Sequence, residues 1–201
     1  MVANRDGGLD DDVEENSSMR IRALQVMIVA GVLVGPAAGI AAPQNAVEAV
    51  WVSRQVSFVY QGFTTHYSCD GLRDKVRDML SKLGARRLLV RTYGCTRTLG
   101  VEPFPGVRVS MQVLAPASAQ QGQGGASAIA AHWRHVVLMP ANAGPQEQGN
   151  CELIEQFKET FLPLFATRRI VYHSNCIPHQ LTLGTQLSAE VLMPDSGSAR
   201  T

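Results

Sequence analysis

Four cysteines in two similarly spaced pairs constrain this chain more than any other feature. Cys69 and Cys95 lie 26 residues apart, and Cys151 and Cys176 lie 25 residues apart. An even number of cysteines is typical of a disulfide framework in an exported chain. Their spacing by itself leaves the connectivity open, so further features of the sequence are needed to choose it.

The two cysteine segments also resemble each other in sequence. A shift of 82 residues places Arg86-Arg87 on Arg168-Arg169 and aligns apolar residues in the same order. The aligned apolar pairs are Leu72/Ile154, Met79/Phe161, Leu80/Leu162, Leu83/Phe165 and Leu88/Ile170. We interpret this as two tandem copies of one β-α-β-β unit, at 50–114 and 132–194. Chance similarity is the alternative, because there are only two copies.

Each copy contains a predicted helix that starts near its first cysteine. In the first copy Ser68 is the predicted N-cap, and Gly84 is the predicted stop. In the second copy Asn150 is the predicted cap, and Pro163 is expected to kink or shorten the helix. Both helices carry an apolar stripe at helical spacing, so each is predicted to pack one face on a core.

The lengths of helix and strand choose the disulfide connectivity. About 15 helical residues rise ~22 Å, and about seven extended residues of the following strand return ~23 Å. The chain therefore comes back to the level of the helix start. This geometry predicts the bridges Cys69–Cys95 and Cys151–Cys176, each worth roughly 3 kcal/mol by loop-closure entropy.

Alternating apolar and polar residues predict half-buried strands around the helices. In the clearest case Val107, Val109, Met111 and Val113 alternate with polar side chains. The predicted fold class is α+β, an antiparallel sheet with both helices packed on one face and stapled by disulfides. Residues 115–131, rich in Gln, Gly, Ala and Ser, are predicted to be a flexible linker, and 195–201 a disordered tail.

The N-terminal region is predicted to direct export. After Arg20 and Arg22 an apolar stretch runs to Val34, followed by Gly35-Pro36 and small residues. Residues 19–41 are thus predicted to be a signal peptide cleaved after Ala41, because the apolar stretch is too short to span a membrane. Residues 1–18 are a predicted disordered acidic extension, and Met19 is an alternative start.

Without residues 1–41, the chain holds 15 basic and 11 acidic side chains, a net charge of +4. This charge is well below that of a typical nucleic-acid-binding protein, so no nucleic-acid partner is predicted.

Motifs for catalysis, metals and cofactors are missing from the sequence. There is no C-x-x-C, no G-x-S-x-G and no phosphate-binding glycine loop. His132 and His135 form an H-x-x-H, but residues three apart on a strand point to opposite faces. We therefore predict no catalytic residue, no metal ligand and no cofactor.

The arginine pairs are the one candidate binding feature. Arg86, Arg87, Arg168 and Arg169 fall at corresponding predicted turns between helix and strand, where they are candidates for binding an anion such as a lipid headgroup or an acidic glycan. The simpler interpretation is that basic residues favour helix C-termini.

The segment Tyr67-Ser68-Cys69-Asp70-Gly71-Leu72, continuing to Gly94-Cys95, resembles uncharacterised exported proteins of Gram-negative bacteria. The resemblance implies a periplasmic or secreted location and no particular activity. Our leading hypothesis is a non-catalytic binding or interaction module with an unknown envelope or extracellular partner and no stable membrane span. The alternatives are an envelope hydrolase whose site comes from scattered loops, and a structural protein that self-associates.

Overall fold

Six strands form one antiparallel sheet in the order β2-β3-β1-β4-β6-β5. The computed structural model describes residues 46–96, 100–120, 127–140, 150–180 and 184–195. The strands are β1 Val47–Val59, β2 Arg86–Tyr93, β3 Gly106–Pro116, β4 Ile129–Met139, β5 Thr167–His173 and β6 Gln186–Pro194. Helix α1 spans Cys69–Lys82 and helix α2 spans Cys151–Thr160. The predicted α+β class is confirmed.

The two halves of this fold have the same order of elements. The first half is β1, α1, β2 and β3, and the second half is β4, α2, β5 and β6. Each half places its last strand between its other two, and β1 and β4 meet at the centre of the sheet. The origin of the halves by duplication of one unit stays a prediction.

Some boundaries differ from those predicted. Strand β3 continues through Pro116 and β4 begins at Ile129, so both ends of the predicted linker belong to strands. At the C-terminus, the amide of Asp195 donates to the carbonyl of Ala130 at 3.3 Å, which attaches the first residue of the predicted tail. The predicted acidic extension, the signal peptide, residues 121–126 of the linker and the rest of the tail lie outside the described residues.

Local signals explain both ends of α1. The Ser68 hydroxyl accepts a hydrogen bond from the Gly71 amide at 3.1 Å, so the prediction that Ser68 is the N-cap is confirmed. Gly84 has a positive φ of 83°, which ends the helix because glycine adopts this conformation without strain. The amide of the next residue, Ala85, then bonds back to the carbonyl of Leu80 at 3.1 Å.

Helix α2 departs from its sequence prediction at one end. Pro163 does shorten it as expected, since a 3₁₀ turn at Leu162–Leu164 follows the helix. Asn150 precedes the helix, but its side chain makes no capping hydrogen bond. Its Oδ1 accepts instead from the hydroxyl of Tyr67 in the first half. The asparagine therefore joins the two halves.

Both helices pack on the same face of the sheet and share one core. The largest buried side chains of that core are Tyr60, Leu72, Leu80, Leu83, Met111, Leu153, Phe157, Phe161 and Leu187. Both predicted disulfides are present, with Cα–Cα distances of 6.3 Å for Cys69–Cys95 and 5.7 Å for Cys151–Cys176. Each bridge ties the start of a helix to the chain beyond its following strand.

The central strands β1 and β4 pair along a short stretch only. Their register joins Val47 to Ala131, Glu48 to Ala130 and Ala49 to Ile129. Beyond these pairs β1 continues along β3, and β4 continues along β6. The pairing at one end alone makes this junction the place where the two halves meet within the sheet.

Candidate functional site

The sheet face opposite the helices, which we call the open face, carries the predicted arginine pairs. The prediction placed them at turns between helix and strand, and this position is wrong. Arg86 and Arg87 are the first residues of edge strand β2, and Arg168 and Arg169 lie within edge strand β5. The pairing of each edge strand with its neighbour is irregular at these residues, which marks a β-bulge.

The second arginine of each pair has an uncommon backbone conformation. Arg87 has φ of 48° and Arg169 has φ of 49°. A side chain in this left-handed region costs roughly 1–2 kcal/mol, so glycine is the usual residue at such a bulge. Because strain of this kind concentrates at functional sites, the same arrangement in both halves directs attention to the arginines.

Each bulge places an arginine over a tryptophan two strands away. The Arg86 guanidinium crosses β3 and lies 3.6 Å from the ring centroid of Trp51 in β1. Similarly, Arg168 crosses β6 and lies 4.5 Å from the ring centroid of Trp133 in β4. These cation–π contacts fix the plane of each guanidinium and leave donor groups at its edge.

A small apolar cluster lies between the two stacks. Its buried members are Ala49, Leu114, Ala131 and Leu192, and both tryptophans pack against it. By the register of β1 and β4, the tryptophans are separated by about six residue positions, or roughly 20 Å along the strands. The alternation of apolar and polar residues along the strands predicted polar side chains on the face away from the helices, so this apolar centre corrects that expectation in part.

The two stacks have different acceptors beside them. Arg86 Nε donates to the neutral amide oxygen of Gln112 at 3.0 Å. By contrast, Arg168 Nε and Arg169 Nη1 donate to the carboxylate of Glu190 at 2.5 and 2.7 Å. The hydrogen bond from Arg168 is the main reason that the pKa of Glu190 is lowered, and Arg169 adds to it. Glu190 therefore offsets one of the two arginine charges of the second half, whereas the neutral Gln112 offsets none in the first half.

Further basic side chains extend the first half of the open face. Arg91 and Arg108 are direct cross-strand neighbours, and the guanidinium of Arg108 lies 5.1 Å from the ring of Tyr93. Neither forms an ion pair with any residue that the structure describes. Burial and the positive charge of Arg87 lower the pKa of Arg86. The arrangement suits an anionic ligand with more than one charge.

The histidines of the H-x-x-H do not converge. By the register of β4, His132 lies on the helix side of the sheet and His135 on the open face, as predicted. His132 Nδ1 lies 2.6 Å from Asp195 Oδ1, and the histidine lines a cavity of about 500 Å³ with Trp133 and Arg168. Within the described part of the chain, no group of His, Cys, Asp and Glu is arranged to hold a metal ion.

A buried carboxylate elsewhere has a structural role. Glu152 is 7% exposed, and its Oε2 accepts from the amides of Phe63 and Thr64, both at 2.9 Å. The hydroxyl of Tyr60 lies 3.3 Å from the same oxygen and donates to the carbonyl of Thr65 at 2.8 Å. Burial, followed by charge interactions that include Glu152, raises the pKa of Tyr60 and of Tyr67. Because this oxygen already accepts hydrogen bonds from the first-half loop, Glu152 is better suited to holding that loop against α2 than to acid–base chemistry. We call this contact the clamp.

The sequence reasoning missed the tryptophans and the acceptors of the open face. The signal was available, because the 82-residue shift that aligns the arginine pairs also aligns Trp51 with Trp133. The difference between Gln112 and Glu190 could not be weighed before their strands were known to lie beside the arginines. Only the register brings these residues together.

Comparison with known proteins adds no family. No protein-family model matches this sequence, and no curated protein and no solved structure matches it. Among the described residues, none of the helices has the length and apolar character required to cross a membrane. The two disulfides fit an oxidising environment of the kind that exported proteins meet.

Proposed function

We propose that this protein is an exported, non-catalytic binding module whose open face holds an anionic ligand. The observation that carries the proposal is the pair of arginine–tryptophan stacks, each at a bulge with a left-handed arginine. A guanidinium held flat on an aromatic ring loses less rotational freedom when it binds a carboxylate, sulfate or phosphate. Periplasmic or secreted location is part of the proposal, supported by the disulfides and by the resemblance to exported proteins of Gram-negative bacteria.

Substitution of the arginines tests anion binding. Dextran sulfate, polygalacturonate and phosphatidylglycerol vesicles are titrated against the purified protein at low salt. We expect at least one of these probes to bind, and Arg86→Ala to weaken that binding by roughly tenfold, because a charge-assisted hydrogen bond is worth that much. The matched control is Arg77→Ala on α1, where the arginine is already paired with Asp74 at 3.1 Å. No binding of any anionic probe would contradict the proposal.

Peptide mass mapping without reduction tests export. Protein recovered from the periplasm of a Gram-negative host is expected to begin at Ala42, in agreement with cleavage after Ala41. The same map should contain Cys69 linked to Cys95, and Cys151 linked to Cys176. A chain that retains residues 1–41 and has four free thiols would overturn the exported location.

One observation favours a second candidate, an envelope hydrolase. The His132–Asp195 pair lies beside a cavity, and Arg168 lines the same cavity, where its guanidinium would bind an anionic group of a substrate. A histidine oriented by a carboxylate can act as a general base toward water. Hydrolysis of p-nitrophenyl esters or phosphates that is lost in His132→Gln would favour this candidate. Unchanged background hydrolysis would leave the binding module as the function.

A further inference from the structure

Resting on the proposed function, we propose that the first half of the open face alone recognises the ligand, and that this ligand is a linear acidic polysaccharide. The two halves share the arginine–tryptophan stack, but their surroundings differ in charge. In the second half Glu190 already occupies both arginines. In the first half the corresponding acceptor is Gln112, which leaves a positive charge for a ligand to neutralise.

The basic residues of the first half form two separate groups along the sheet, which we call the two cationic stations. One station is Arg86 opposite Gln112, and the other is the cross-strand pair of Arg91 and Arg108. Arg108 and Gln112 are four positions apart in β3, so the stations lie roughly 13 Å apart. The register places no acidic residue of β1, β2 or β3 between them on the open face. Two separated cationic stations fit an extended ligand that repeats its charge.

The side chains beside these stations suit a sugar polymer. Exposed hydroxyl and amide groups of the first-half open face belong to Ser53, Gln55, Ser57 and Ser110. Such groups both donate and accept hydrogen bonds, as the hydroxyls of a sugar do. A bound peptide would need pockets for alternate side chains, and this stretch is a mostly polar strand surface in which Leu89 is the exposed apolar residue beside Ser110. In the second half the position of Gln55 is held by Val137, which is 45% exposed, while Val171 matches the equally exposed Leu89.

A bilayer surface fits these observations less well. Proteins that dock on membranes insert exposed Trp, Phe or Leu side chains into the interface. Here both tryptophans are half-buried beneath arginines, and so they are not presented outward. The exposed apolar side chains of the first-half face are Leu89, at 48%, and Val59, at 37%. An anionic membrane is therefore an outcome of the test rather than the proposal.

Isosteric exchange of the two acceptors gives the decisive experiment. Gln112→Glu copies the second half into the first and should weaken polygalacturonate binding by roughly tenfold, since Arg86 would then be neutralised. Glu190→Gln should leave the affinity within about threefold, because the second half still lacks the Arg91 and Arg108 station. Both variants keep the size of the side chain, and a thermal unfolding curve of each checks that it folds.

A second pair of measurements tests the polymer. The double variant Arg91→Gln/Arg108→Gln should weaken binding by at least as much as Gln112→Glu and should reduce its salt dependence. Monomeric galacturonate should bind far more weakly than the polymer, because it reaches one station only. Equal affinity for monomer and polymer would overturn the two-station arrangement.

The outcomes separate this inference from the proposed function. Binding of phosphatidylglycerol vesicles or poly-L-glutamate in preference to polygalacturonate would overturn the polysaccharide while leaving an anion-binding module. Equal losses in Arg86→Ala and Arg168→Ala would overturn the restriction to the first half. Absence of binding by every anionic probe would remove the proposed function itself.

Discussion

The two halves of the open face have the same backbone arrangement but differ in the charge of the side chains around it. Each has a bulge with a left-handed arginine and a guanidinium over a tryptophan. The positions around these stacks differ between the halves, and the corresponding residues are Gln55 and Val137, Arg91 and His173, and Gln112 and Glu190. The stacks are thus compatible with a scaffold role in both halves, while most of the positive charge without a carboxylate partner lies in the first half.

The helix N-termini differ in the same way. In the first half Ser68 caps its own helix, and the following Asp70 is exposed and pairs with Arg73 at 2.6 Å. At the corresponding place in the second half, Asn150 and Glu152 bind the first-half loop instead. A position that serves local stability in one half therefore serves the contact between halves in the other.

Removal of either disulfide should give the largest loss of unfolding free energy, and the loss should differ between the two halves. We expect Cys69→Ala/Cys95→Ala to cost roughly 3 kcal/mol of unfolding free energy, since it opens a loop of about 25 residues. Cys151→Ala/Cys176→Ala opens a loop of nearly the same length, but Cys151 is fully buried. The second variant should therefore cost about 1 kcal/mol more through lost packing. Urea unfolding of both variants measures this, and a larger cost for the first pair would contradict the argument.

The clamp at Glu152 should have the next largest effect. Glu152→Ala leaves the amides of Phe63 and Thr64 without the buried carboxylate that accepts from them, so we expect a loss of about 2 kcal/mol. The matched control is Asp70→Ala, which removes an exposed ion pair and should cost within about 1 kcal/mol. Urea unfolding midpoints compare the two variants. Equal costs would show that the two helix N-termini are energetically equivalent after all.

The smallest predicted effect is on the pH dependence of stability, which should differ between the acceptors Glu190 and Gln112. The pKa of Glu190 is lowered in the folded protein, so its stabilising contribution is present above about 4.5 and is lost as the pH falls through its folded value. Gln112 does not titrate, so the first half has no such dependence. The stability difference between the wild type and Glu190→Gln should therefore be larger at pH 7 than in acid. A difference that does not change with pH would show that the carboxylate contributes nothing through its charge.

Much of the fold could be predicted because its signals are local. The cap at Ser68, the stop at Gly84 and the shortening at Pro163 depend on the conformational preferences of single residues. The disulfide pairing followed from the rise of a helix and the length of a strand, which are nearly constant. These features need no knowledge of which strands are neighbours.

The candidate site could be predicted only in part. The arginine pairs were found from their repeated positions, but their placement at turns was wrong because the edge strands begin earlier than the pattern indicated. Asn150 was predicted to cap α2 with its side chain, but its Oδ1 accepts a hydrogen bond from the hydroxyl of Tyr67 in the first half instead. Competition from a partner distant in sequence cannot be seen in a local pattern.

By itself, the sequence determined the fold class, the disulfide pairs and the identity of the repeated arginines. The tertiary structure decided which residues those arginines meet, and that Arg86 has an amide beside it while Arg168 has a carboxylate. The physical reason lies in strand register. A shift of one residue moves every side chain of a strand to the other face, so contacts across two strands depend on the pairing of the whole sheet.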